Sequence, residues 1–223
     1  MLPEQIFQEQ MLSLDNENKM KDQKELIRES NELKIMEAAE YVFAQYGFKG
    51  ATTDKISKQA GLPKANIHYY YKTKANLYQC VLERILKEWM EAAEAFEQYQ
   101  EPKIALTKYV ESKMQYSRQR PYASKVWANE IVHGAPIVGS FLETTLKQWL
   151  DDRVEIIKGW IKADKIKKVD PTAFIYLIWS VTQHYADFEK QIEILNKDKP
   201  FTDEEFNQKI KEVTQFVLAG AGL

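Results

Sequence analysis

A chain of 223 residues with a formal charge of −2, 44% hydrophobic and 29% charged residues has an ordinary soluble composition, and its overall charge argues against a nucleic-acid binder. Cys80 is the single cysteine, which excludes an internal disulfide, and no Cys/His cluster has metal-ligand spacing. Neither a signal-peptide core between Met1 and Lys34 nor an 18-residue apolar run is present, so the expectation is a cytoplasmic protein with no membrane contact.

Residues 1–30 are rich in Gln, Glu, Asn and Lys without an apolar stripe, and read as a mobile arm or a frayed helical extension. The first striped helix runs from about Glu32 to Tyr46. Ile35, Ala38, Ala39, Val42, Phe43 and Tyr46 share one face of it, and Gly47 supplies a left-handed stop. Thr52 and Thr53 offer hydroxyl caps to a short second helix that turns Ile56 and Ala60 inward and ends at Gly61. A third short helix follows Leu62, with Pro63 at or near its first turn. Two short helices joined by a glycine turn form a helix-turn-helix. Thr73 can cap a helix from about Lys74 to Tyr99. Further helices are expected over Ile137 to Ala163, Thr172 to about Gln191 behind Asp170-Pro171, and about 203–219 behind the capping box Thr202-x-x-Glu205. Eight Gly and seven Pro leave room for such long helices, and no segment longer than a few residues alternates with period two. The predicted fold is all-α. Its organisation is an extension over 1–30, a helix-turn-helix domain over 31–78 and a helical domain over 79–223.

The distribution of charge says more than its sum. Between Lys49 and Lys74 six lysines face one acid, Asp54, a local +5 that leaves −7 on the remainder. A basic patch on an acidic body suits phosphate and disfavours non-specific wrapping. Lys64, Asn66 and His68 project polar ends from the third helix, Tyr69 and Tyr70 add hydroxyls, and Ile67 and Tyr71 can turn into the core. The competing reading is a small subdomain with a solvated lysine face. Capping, glycine turn, aromatic cluster and lysines coincide here, which favours DNA.

The stretch Lys34 to Phe48, then Thr52-Thr53, then Gly61 through Leu77 resembles the N-terminal domain of the TetR family throughout. The resemblance implies a homodimeric regulator, most often a repressor, with a ligand-binding C-terminal domain and double-stranded operator DNA as partner. It implies base-facing roles for Lys64, Ala65, Asn66 and His68, and phosphate contacts for Thr53, Tyr69, Tyr70 and Lys74. Asp54 departs from the pattern, since some members carry a basic residue there. Farther on, Pro121 to Pro136 and Trp179 to Phe188 resemble the RutR branch, regulators of pyrimidine use that sense uracil-like compounds.

The residues support a pocket in their own right. Trp179 and Gln183 lie one helical turn apart, where an indole can stack on a flat heterocycle while an amide both donates and accepts. Trp89 can close the other side and link a small-molecule effector to the DNA-binding helices. Ordinary core packing competes for all three. Asn129, Glu130 and His133 share a turn and read as caps or chain bridges, with a metal or acid/base site as the weaker reading. No nucleophile–base pair, phosphate loop, metal motif or cofactor signature supports an enzyme. Two rivals remain: a family member sensing an unrelated small molecule, and a helical interaction scaffold that does not bind DNA.

Overall fold

The computed structural model describes residues 3–223, with side chains described from residue 23 onward apart from Ala92. Among the described residues the chain is helical throughout and contains no strand. It divides into two compact units, Met1–Tyr78 and Gln79–Leu223.

In the first unit α1 spans Pro3–Gly50, with a kink at Gly47, whose φ of 63° supplies the expected left-handed break. The helix starts far earlier than Glu32. No Gly or Pro falls between Pro3 and Gly47, and Glu, Gln, Lys, Leu and Met are strong helix formers. The polar arm expected over 1–30 lies largely outside the residues whose side chains are described. Helices α2 (Thr53–Ala60) and α3 (Lys64–Tyr71) follow, and α4 begins at Lys74. The core between them is made by Ile35, Ala38, Ala39, Val42, Phe43, Ile56, Ile67 and Leu77, all buried. Phe43, Phe48 and Tyr78 close it with ring centroids 4.7 Å (Phe43–Tyr78) and 4.9 Å (Phe48–Tyr78) apart.

The second unit takes the rest of α4 (Lys74–Ala92), then α5 (Ala95–Gln98), α6 (Pro102–Gln119), α7 (Pro121–Val132), α8 (Gly139–Phe141), a π-helical turn (Leu142–Leu146), α9 (Lys147–Lys162), α10 (Pro171–Asp187), α11 (Glu189–Leu195) and α12 (Asp203–Ala221). Helix α6 packs against α10 and α12, and α7 against α10. Three expected helices are broken. The helix predicted to reach Tyr99 ends at Ala92, because the turn after it buries Ala93 and Phe96. There Phe96 stacks on Trp160 at 5.7 Å and meets the edge of Tyr109 at 5.0 Å. The helix predicted over Ile137 to Ala163 starts at Gly139 and passes through the π-helical turn, and the one predicted to Gln191 stops at Asp187 before α11. At the first of these breaks tertiary burial overrides local propensity. The predicted caps are present: Asp170 Oδ1 accepts from the Ala173 N–H (2.7 Å), and Thr202 and Glu205 bond each other's backbone.

Candidate nucleic-acid interface and ligand cavity

The helix-turn-helix is assembled almost entirely from local signals. Thr52 Oγ1 accepts from the Lys55 N–H at 3.2 Å and starts α2. Gly61 ends it at φ 65°, a left-handed conformation that a side chain would strain. Pro63 stands just before α3 and not inside its first turn. Ile56 and Ile67 point inward from the two helices, so Lys64, Ala65 and His68 are left exposed and Asn66 half-buried on the outer side. Tyr69 is exposed, with its ring 5.0 Å from that of Tyr70, which is half-buried like Thr53. Tyr71 turns inward, its hydroxyl donating to the Glu32 carbonyl at 3.4 Å.

Two lysines of the patch have structural work. Lys74 Nζ donates to the carbonyls of Phe48 (2.7 Å) and Ala51 (2.9 Å) and lies 4.5 Å from the Phe48 ring. Lys55 Nζ donates to the Gly50 carbonyl (2.9 Å) and sits 3.8 Å over the Tyr46 ring. Both satisfy carbonyls at the end of α1 that have no helical partner. Lys64 Nζ meets Asp54 Oδ1 at 2.9 Å, which holds the Asp54 carboxyl below its usual range. His68 Nδ1 lies 3.2 Å from the Lys72 carbonyl, so its outer nitrogen is the one turned to other duties.

In the second unit the three residues singled out for a ligand share one cavity. Trp89, Trp179 and Gln183 line about 60 Å³ of space together with Tyr109, Lys113, Trp127, Leu146 and Trp149. A water needs ~10–15 Å³ on this scale, so the cavity has room for a small ring. The walls are aromatic: Trp89 meets Trp127 edge-on at 5.4 Å, and Trp149 lies 5.8 Å from Trp179. Trp179 Nε1 donates to the Tyr109 hydroxyl at 2.8 Å, which leaves the Tyr109 proton free to be donated elsewhere. Burial pushes the Tyr109 phenol up, so it stays protonated. Trp149 Nε1 is buried without a partner among the described residues.

Sequence reasoning missed Lys113, along with Tyr109, Trp127 and Trp149 of the cavity wall. Lys113 is 5% exposed, with Nζ 4.6 Å over the Trp89 ring, and burial lowers its pKa to about 8 against a partly offsetting pull from Asp187. Burial in turn raises the Asp187 carboxyl, opposed by its 2.5 Å hydrogen bond from Ser124 Oγ. The available signal was a lysine on the apolar stripe of α6, in line with Leu106, Tyr109 and Ser117. Asn129, Glu130 and His133 do not form a site of their own. Glu130 is buried and accepts from the Ile137 (2.6 Å) and Val138 (3.2 Å) N–H groups, and His133 bonds the Asn129 carbonyl, so they close the end of α7. Among the described residues no group of His, Cys, Asp or Glu is placed to hold a metal ion.

Comparison with known proteins places this architecture. Residues 35–81 match the bacterial regulatory proteins of the tetR family, and residues 82–223 match the C-terminal region of YcdC-like proteins. The chain belongs to the tetR family, and it is a DNA-binding, ligand-responsive transcriptional regulator. It is similar to the HTH-type transcriptional regulator RutR of Escherichia coli (strain K12), with 36% identity over 190 residues, 83% of this chain and 88% of that protein. The HTH-type transcriptional regulator YhgD of Bacillus subtilis (strain 168) is 26% identical over 170 residues, 74% of this chain and 87% of its own. Among solved structures, the TetR family regulator PfmR from Thermus thermophilus superposes with a TM-score of 0.67 at 15% identity, covering 83% of this chain and 97% of that one. FadR from Bacillus subtilis, in complex with stearoyl-CoA, gives 0.61 at 18%, covering 84% and 98%. At these identities both show the fold alone. Regulators of the family bind operator DNA and small-molecule effectors and typically form dimers. Among the described residues no helix is long and apolar enough to cross a membrane.

Proposed function

We propose that this chain is a cytoplasmic, non-enzymatic, homodimeric repressor released from its operator by a small oxo-substituted ring of the uracil class. In this reading residues 31–78 bind DNA and residues 79–223 bind the ligand and the second copy. Lys64, Ala65, Asn66 and His68 face base edges. Thr53, Tyr69, Tyr70 and the remaining N–H of Lys74 meet phosphates. The exposed apolar side chains Leu177 on α10 and Phe216 on α12 supply the dimer face, so that two copies build a four-helix bundle.

One observation carries the ligand assignment: Trp89, Trp179 and Gln183 surround a single small cavity that Lys113 and Tyr109 furnish with buried donors. Indole faces suit a flat ring, and the amide of Gln183 matches an imide edge. Lys113 and Tyr109 suit carbonyl oxygens. The resemblance of the segments around Trp127 and Trp179 to RutR points the same way. A family member that senses an unrelated molecule is the alternative, but about 60 Å³ disfavours a long acyl chain. Helix α4 starts in the first unit and carries Trp89, so a ring seated there can bias the recognition-helix spacing, ~34–36 Å for adjacent half-sites. The bias equals the ligand's differential affinity for the two conformers, typically ~1–3 kcal/mol.

Thermal shift and mobility shift test this directly. Uracil or thymine raises the melting temperature and releases the chain from its upstream DNA. If neither ring does either, while another class of ligand does, the pyrimidine assignment is wrong and the alternative stands.

A further inference from the structure

Asp54 is the one acid between Lys49 and Lys74, and it stands on the outer face of a surface built for a polyanion. It belongs to the first turn of α2, while its partner Lys64 opens α3, and their charged atoms are 2.9 Å apart. Both side chains are more than half exposed (65% and 51%), so the pair is worth little as a fastener of the fold. An acid in this place would repel phosphate, and releasing it from Lys64 on DNA would leave a bare carboxylate in the groove.

We propose that the Lys64–Asp54 couple stays intact on DNA and reads one G·C base pair in the major groove of each half-site. This rests on the assignment of α2 and α3 to the groove. In a Watson–Crick G·C pair the guanine O6 and cytosine N4 are themselves hydrogen-bonded, ~2.9 Å apart, the same spacing as the couple. O6 keeps a second lone pair and N4 a second proton on the groove side. Lys64 donates to O6, Asp54 accepts from N4, and the four groups close a ring in which no charge is left unmatched. Guanine N7, beside O6, takes a further proton of the ammonium. A T·A pair offers the same acceptor and donor order but answers less well. The thymine methyl crowds the lysine, and the adenine N7 lone pair faces the carboxylate. The reversed pairs, C·G and A·T, set donor against ammonium and acceptor against carboxylate.

The test is selection from randomised duplexes by the full chain, as wild type, Asp54→Ala and Lys64→Ala. Wild type selects a symmetric site with one G·C position per half-site, preferred over C·G by about ten- to hundredfold. Asp54→Ala and Lys64→Ala each relax that same position and leave the rest of the consensus in place. A second measurement needs only the wild-type chain. Inosine·cytosine keeps the major-groove edge and loses only the minor-groove amine, so it binds like G·C. Discrimination that survives Asp54→Ala at every position overturns the proposal, as does an inosine duplex that binds like C·G. A wild-type chain that selects no sequence at all overturns the groove assignment, and this proposal with it.

Discussion

The helix-turn-helix and the cavity are built by opposite routes. Between Thr52 and Tyr71 the geometry is local: a hydroxyl cap, a left-handed glycine and two inward isoleucines fix which residues face out. The side chains proposed to meet DNA are mostly exposed and polar, and they cost little to display. The cavity draws on α4, α6, α7, α9 and α10, and its lining is made of aromatics and a buried lysine. Two of these groups are held by others: Trp179 by Tyr109, and Lys113 by the Trp89 face and by the charge of Asp187. A surface site tolerates change one residue at a time, whereas a buried site couples its members.

That contrast can be broken most readily at the cavity. Trp179→Ala removes a ring wall and the donor to Tyr109, and should weaken ligand binding by about a hundredfold, the scale of a buried aromatic anchor. Affinity for operator without ligand should not change. Calorimetry with a mobility shift checks both, and parallel loss of both would show that the regions are not separable.

Next in size is Lys113→Met, which should abolish the ligand response yet stabilise the unliganded chain at pH 7 by up to ~3 kcal/mol. The pH dependence follows from the lowered pKa of about 8 against 10.5. Below pH 8 both folded and unfolded chains hold the proton, and the folded state bears the full cost of burying it. Between about 8 and 10.5 the unfolded chain holds more protons, so wild-type stability rises relative to the variant. Denaturant titrations at pH 7 and pH 9.5 should show the gap narrowing; a constant gap refutes a charged buried lysine.

At the DNA-binding unit, Lys74→Met should cost about 2 kcal/mol by stranding the carbonyls of Phe48 and Ala51. The salt dependence of DNA binding sharpens its role. A slope reduced by about one means that Lys74 also neutralises a phosphate, and an unchanged slope leaves it wholly structural. The smallest effect is Thr52→Ala, about 1 kcal/mol from the lost cap, read as a lower melting temperature with ligand affinity intact.

Much of the DNA-binding unit is legible in the amino-acid sequence. The cap at Thr52, the stop at Gly61 and the inward placement of Ile56 and Ile67 all depend on neighbours a few residues away, as do the caps at Asp170 and Thr202 in the second unit. For the same reason the outward set Lys64, Ala65 and His68 can be read directly. Trp89, Trp179 and Gln183 can be nominated, but nothing in their spacing shows that Tyr109 takes the Trp179 N–H or that Trp127 and Trp149 complete the wall.

Neighbouring residues alone are therefore enough to dictate the local layer: all-helical elements, their caps, and the basic face of α2 and α3. Long-range packing sets the break after Ala92, ties Lys74 to the carbonyls at the end of α1, brings Asp54 to Lys64, and buries Lys113 against Trp89. The physical reason is range. Caps and stripes are settled by contacts within one or two turns, while burial and pairing depend on segments distant in the chain, whose meeting no local pattern encodes.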